Sequence, residues 1–154
     1  LNSNIQKIEN ITKIPFSTNR INIYLVEALS QEYGKIGGEP LINGIAVGRI
    51  KDLEVLKMVI THELVHLNLM NRIINLLPEK YRKEEHQINE AITDLIARRV
   101  LNLSFSKEEL MKNPYIEIFQ PFFQNVSEIK NLEKILKILE EKNKRTKLQF
   151  FEKR

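Results

Sequence analysis

Ile5, Ile8 and Ile11 recur every three residues and predict a short opening helix that Pro15 stops. The run Ile21 to Val26 is β-branched and partly alternating, which predicts a strand. Gly34, Gly37, Gly38 and Pro40 then predict a long turn or loop. From Leu41 to Ile50, Ile42, Ile45, Val47 and Ile50 are spaced by Gly44 and Gly48, predicting a second strand with bulges or a close backbone neighbour at the glycines. Asp52 is a good N-cap, and no Gly or Pro interrupts Leu53 to Leu77, so one long helix is expected to end before Pro78. Its Leu56, Val59, Ile60, Leu64, Leu67, Met70 and Ile74 spread beyond a narrow stripe, so this helix is mostly buried. A polar connection, Pro78 to Glu85, leads to a second helix from about Gln87 to Leu103 with Ile88, Ile92, Leu95, Ile96 and Val100 as its core face. Ser106 and Glu109 form a capping box that opens a short third helix stopping near Pro114. Phe119, Phe122 and Phe123 around Pro121 supply a compact aromatic segment, and Ile129, Leu132, Leu136 and Leu139 define a final amphipathic helix.

These elements describe an α+β fold: a small twisted β-sheet packed on a buried helix and a following glutamate-bearing helix, with further C-terminal helices. A chain of 154 residues holds one ordinary domain. We expect it over residues 1–126, with 127–154 a C-terminal amphipathic helix and basic tail packed on the same body. The charge of +4 is concentrated at that end. From Lys137 onward seven Lys/Arg face three Glu, leaving 17 basic and 17 acidic groups in the preceding body. Such a tail reads as a solvated helix end, whose cations suit the helix dipole, rather than as a nucleic-acid surface. No apolar run is long enough to cross a membrane, and Leu1 to Asn10 lacks a signal-peptide core, so a cytoplasmic location is expected. There is no cysteine. Disulfide scaffolds, thiol catalysis and iron–sulfur clusters are therefore excluded, and any metal must be held by His, Glu or Asp.

The long helix contains His62-Glu63-Leu64-Val65-His66. Residues four apart share a helix face, so both imidazoles can reach one ion while Glu63, beside the first, can address a water on that ion. Two neutral imidazoles and a carboxylate suit zinc, which lowers the pKa of a bound water to about 7. With 3 His and only 18 Glu among 20 acids, chance produces this pattern about 0.007 times per chain. A mostly apolar helix would otherwise bury two histidines and a carboxylate without reward. The next helix offers Asn89-Glu90-Ala91-Ile92-Thr93-Asp94, in which Glu90 and Asp94 share a face. One can bind metal while the other holds the outer nitrogen of a ligand ring. Asp52 and Asp94 are the chain's two aspartates, and Asp94 lies inside a helix, where aspartate is a poor former.

His62-Glu63-x-x-His66, with Asn89-Glu90-x-x-x-Asp94 beginning 23 residues after His66, resembles the gluzincin metallopeptidases, the thermolysin-like clan, and their minimal single-domain members in particular. The resemblance covers approximately Leu41 to Leu103. It implies zinc held by His62, His66 and Glu90, with Glu63 as general base and later proton donor, and Asp94 orienting His62. It also implies that the strand ending near Ile50 is the edge that pairs with an extended peptide substrate. Metzincins do not fit, because Leu69 and Arg72 stand where their Gly and third His are required. Thermolysin-like enzymes carry a further histidine downstream, whereas no His follows His86 here. Tyr81 resembles the tyrosine those enzymes place upstream of the glutamate, a candidate donor to the oxyanion. His86, one turn before Glu90, reads as a surface histidine, with an extra ligand or proton shuttle as the alternative.

The expectation is thus a zinc-dependent endopeptidase acting on peptide or protein substrates. Two alternatives stand beside it: a repressor-cleaving regulatory metallopeptidase, and a non-catalytic zinc module using its basic terminal helix for a partner. Asn113 to Arg154 exceeds what a minimal catalytic core needs. Its end, Leu148-Gln149-Phe150-Phe151, could lie along the substrate strand and keep the enzyme latent, against the simpler expectation that it completes the core or mediates self-association.

Overall fold

A computed structural model describes residues 2–27, 38–41, 44–69 and 72–124. The expected terminal helix and latency segment, with Ile42 and Met70, lie outside the described residues, as do the side chains of Ile74, Phe122 and Phe123. The described chain is mixed α+β, mostly helical, with one three-stranded mixed sheet. Among the described residues no helix is long and apolar enough to cross a membrane.

Helix α1 (Asn2–Thr12) buries Ile8 and Ile11, as the three-residue spacing requires. It closes at Lys13, which takes a left-handed φ of 58° and gives its N–H to the Glu9 carbonyl. Strand β1 (Asn22–Leu25) follows. The single strand expected over Leu41 to Ile50 is instead two, β2 (Gly38–Leu41) and β3 (Gly44–Val47), which pair antiparallel. Pro40, expected in a loop, therefore lies in a strand. It is tolerated because β2 is an edge of the sheet among the described residues, where a missing N–H leaves no partner stranded. The strand order is β1-β3-β2, with β1 parallel to β3. This corrects the expected substrate edge: the strand running towards Ile50 is the central one, and all four of its residues are buried. Gly44 does have a close backbone neighbour, because a side chain there would run into the Asn22 carbonyl of β1.

Asp52 caps α2 (Leu53–Leu69) by accepting the N–H groups of Glu54 and Val55 at 2.8 and 3.1 Å. Within the span expected to reach Leu77, α3 (Arg72–Leu76) is also helical; residues 70 and 71, between it and α2, lie outside the described residues. Thr61, Glu63, Leu64, Val65, Asn68 and Leu69 in the second half of α2 are buried, Val55, Leu56, Met58, Val59 and Ile60 in the first half are partly buried against the core, and Leu53 is 68% exposed. The polar connection forms a 3-10 helix over Glu79–Glu84.

Helix α4 (Glu85–Leu101) starts and stops two residues earlier than expected. Its end is set by Asn102 in the left-handed region, which lets the Leu103 N–H reach the Arg98 carbonyl at 2.9 Å. All five expected core residues of α4 are buried. The capping box forms as read: Ser106 and Glu109 exchange hydrogen bonds and open α5 (Lys107–Lys112). The aromatic segment is a helix, α6 (Pro114–Gln124), which continues through Pro121 and buries Phe119 completely. Pro114 suits the first position of that helix, where its missing N–H costs nothing.

The most extensive packing is that of α4 on α6 and on α2, with α1 laid across both α2 and α4. Ile8, Leu64, Ile88, Ile92 and Ile96 are fully buried in this stack. Each such side chain contributes about 2–3 kcal/mol of burial. Replacing Ile92 by Ala is therefore expected to cost about 2–5 kcal/mol in urea unfolding, while Leu53→Ala stays within about 0.5 kcal/mol. Equal losses for the two variants would place the core elsewhere.

Candidate metal centre

His62 and His66 lie one turn apart on α2, on the side that meets α4. Their Nε2 atoms stand 3.0 Å apart. Glu90 of α4 reaches the same point, with one carboxylate oxygen 3.0 Å from His66 Nε2 and the other 3.4 Å from His62 Nε2. One ligand atom from each residue falls within a 4.8 Å cluster. Tetrahedral ligands held about 2.0–2.2 Å from zinc stand about 3.3–3.6 Å from one another. The three observed separations are close to that, and the donor set, two imidazoles and a carboxylate, is one that zinc takes. The residues therefore fit the ion.

The far nitrogens of both rings are also engaged. His62 Nδ1 lies 2.8 Å from an Asp94 carboxylate oxygen. An ionised carboxylate only accepts, so the His62 proton is held on Nδ1 and Nε2 is turned towards Glu90. His66 Nδ1 lies 3.3 Å from the hydroxyl of Thr93. Thr93 is a functional candidate that sequence reasoning missed. The available signal was a polar residue set among Ile88, Ala91, Ile92, Leu95 and Ile96, where the helix is otherwise apolar.

Glu63 is buried at 5% exposure and lines the same cavity of about 570 Å³ as His62, His66, Glu90 and Asp94. Met58 and Val59, in the preceding turn of α2, add apolar wall, and Gly38 and Pro40 of β2 border it. The strand at the cavity is thus β2, an edge, rather than the strand towards Ile50. Gly38 is required by a close approach: a Cβ built there would stand 2.5 Å from Glu63 Cγ and 2.7 Å from the Ala46 carbonyl oxygen.

Two further sequence candidates part ways. His86 lines the cavity with its side chain 87% exposed and Nδ1 4.0 Å from Glu90, so it is a surface histidine at the mouth. Tyr81 is buried in the apolar core and is not among the residues that line the cavity. Its position in the 3-10 helix turns it inward, so the structure does not bring it to the cleft as an oxyanion donor. Tyr115 is half-buried and donates to Glu84 at 2.7 Å; burial and that hydrogen bond push its pKa up.

The metal-free cluster is electrostatically coupled. Burial alone would lower the His62 pKa, but hydrogen bonds with Asp94 and Glu90 outweigh it and push it up to about 10. Burial would raise Glu90, but hydrogen bonds from His62 and His66 hold it well below the ordinary carboxylate range. The raised His62 stabilises the metal-free fold fully below its ordinary pKa of 6.5, and that contribution is lost as pH rises through about 10. The depressed Glu90 contributes above its ordinary 4.5 and loses its effect as pH falls below that. Metal-free protein should accordingly be most stable between those two ordinary values, as measured by urea midpoints across pH.

At pH 7 the His62 ring, raised to about 10, carries a second proton on Nε2 that zinc must displace, so uptake should release about one proton per ion. Calorimetry in two buffers of different ionisation enthalpy measures this, and zero release would show that His62 is neutral before metal arrives. Asp94→Ala should weaken zinc binding by about 10- to 100-fold in chelator competition. Unchanged affinity would leave Asp94 without a role in orienting His62.

Compared with protein-family models, curated proteins and solved structures, the chain matches none of them.

Proposed function

We propose that this protein is a zinc-dependent endopeptidase of the gluzincin type. The reading is carried by one observation: His62, His66 and Glu90 converge from two helices on a common point, and the carboxylate of Glu63 is buried against the cavity beside it. The chemistry this supports is hydrolysis of an amide bond. Bound by the three ligands, zinc supplies a Lewis acid and makes a water acidic at neutral pH. Glu63 takes the proton as the water oxygen adds to the scissile carbonyl carbon. It gives that proton to the departing amine as the C–N bond breaks. Asp94 keeps His62 in the orientation and tautomer that a ligand needs.

The substrate class follows from the sheet. An extended peptide adding to the outer edge of β2 would run along the cavity that Gly38 and Pro40 border. Unfolded or loosely folded protein segments provide such strands. Helical or compact substrates do not.

The test pairs metal content with cleavage of an unfolded protein such as casein. Wild-type protein should hold one zinc and cleave. Glu63→Gln should hold one zinc and lose at least about 100-fold in rate, as expected on removing a general base. Loss of zinc from this variant would show Glu63 to be a ligand. A zinc-loaded wild type without hydrolytic activity would replace the enzyme reading with a zinc-binding module.

A further inference from the structure

Strand β2, an edge of the sheet among the described residues, carries a proline, and its pairing register shows which way its backbone faces. It pairs with β3 without a break, from Gly38 opposite Val47, through Pro40 opposite Ile45, to Leu41 opposite Gly44. In an antiparallel pair, residues that exchange both backbone hydrogen bonds with the partner alternate with residues whose N–H and C=O point away from it. Pro40 has no N–H to exchange with Ile45, so it takes the second setting. Gly38, two residues away, shares that setting, while Glu39 and Leu41 face β3. The free edge of β2 therefore presents the N–H and C=O of Gly38 but only the C=O of Pro40. These same two residues border the cavity that His62, Glu63, His66 and Glu90 line.

We propose that Pro40 is a specificity-determining residue: it makes the edge of β2 read a substrate strand by two N–H groups and one carbonyl. The proposal rests on the endopeptidase reading above and names the backbone pattern which that site would take. A strand added to β2 donates N–H groups from two residues, two apart, to the carbonyls of Gly38 and Pro40. It accepts a single hydrogen bond, from the Gly38 N–H. This count is the same whether the added strand runs parallel or antiparallel to β2. Proline or another N-alkylated residue at either donating position is therefore disfavoured, because it leaves a β2 carbonyl covered and without its donor. The substrate carbonyl that faces the Pro40 ring has no donor on β2, so changes to that carbonyl are tolerated.

The experiment uses a fluorescent casein peptide that spans a bond cleaved by the wild type. Its binding is measured by anisotropy to zinc-loaded Glu63→Gln, which does not turn it over, and to the same protein carrying Pro40→Ala. N-methylation at successive residues of the peptide should reveal a pair of sensitive positions two residues apart in both proteins. A scan of thioamides, whose sulfur is a poorer acceptor, should reveal one more sensitive position in the Pro40→Ala protein, because alanine restores the missing donor. The unmodified peptide should bind that protein about 2- to 10-fold more tightly, the worth of one hydrogen bond. Pro40→Val supplies the same N–H if alanine loosens the strand.

Equal or weaker affinity in both replacements, with thioamide profiles unchanged, would overturn the proposal, and so would tolerance of N-methylation at every position. The peptidase reading would survive either result, since the wild type still cleaves. A zinc-loaded wild type that cleaves nothing would instead remove that reading, and this inference with it.

Discussion

The packing of α2 against α4 is the contact on which the molecule turns, because one seam supplies both core and site. Leu64 and Val65 on α2, and Ile88, Ala91 and Ile92 on α4, are fully buried. The residues beside them in sequence, His62, Glu63 and His66 on one helix and Glu90, Thr93 and Asp94 on the other, gather along the same seam. Sliding either helix by one residue would shift side chains by about 1.5 Å along the axis, enough to break hydrogen bonds of 2.8–3.0 Å. The apolar pairs therefore set the register of the polar ones. α1 and α6 reinforce that register by packing on α4 from other sides.

Gathering three carboxylates and two imidazoles at the edge of a core carries a desolvation cost. The structure offsets it by giving the groups partners of matched character. Asp94 and Glu90 both face His62, and Glu90 also faces His66. The result is a compact cluster whose members are held together by their own polar contacts.

Much of this was legible in the sequence for a simple reason. Helical spacing turns a string into a face, so His62, His66, Glu90 and Asp94 could be grouped before any coordinates existed. Asp94 announced itself by being an aspartate in a helix interior. The features that escaped depend on what faces what across the fold. Nothing in Leu41 to Ile50 states that two strands share the segment's neighbourhood, or that the central strand is the later one. Tyr81 had suitable spacing from Glu90, yet the 3-10 turn that carries it packs its ring into the core. Thr93 could be noticed as a polar residue among apolar ones, but its partner on another helix could not.

Gly38 has a consequence for how the sheet and the helix move together. With no side chain on this residue, the edge strand lies against Glu63 closely enough that a single methyl group would overlap it. Two surfaces at that separation cannot approach further, and neither can be thickened without displacing the other. The edge strand is thus a wall for the acid: it limits how far Glu63 can swing towards the sheet, and any side chain added at residue 38 would push the carboxylate, the strand or both out of place.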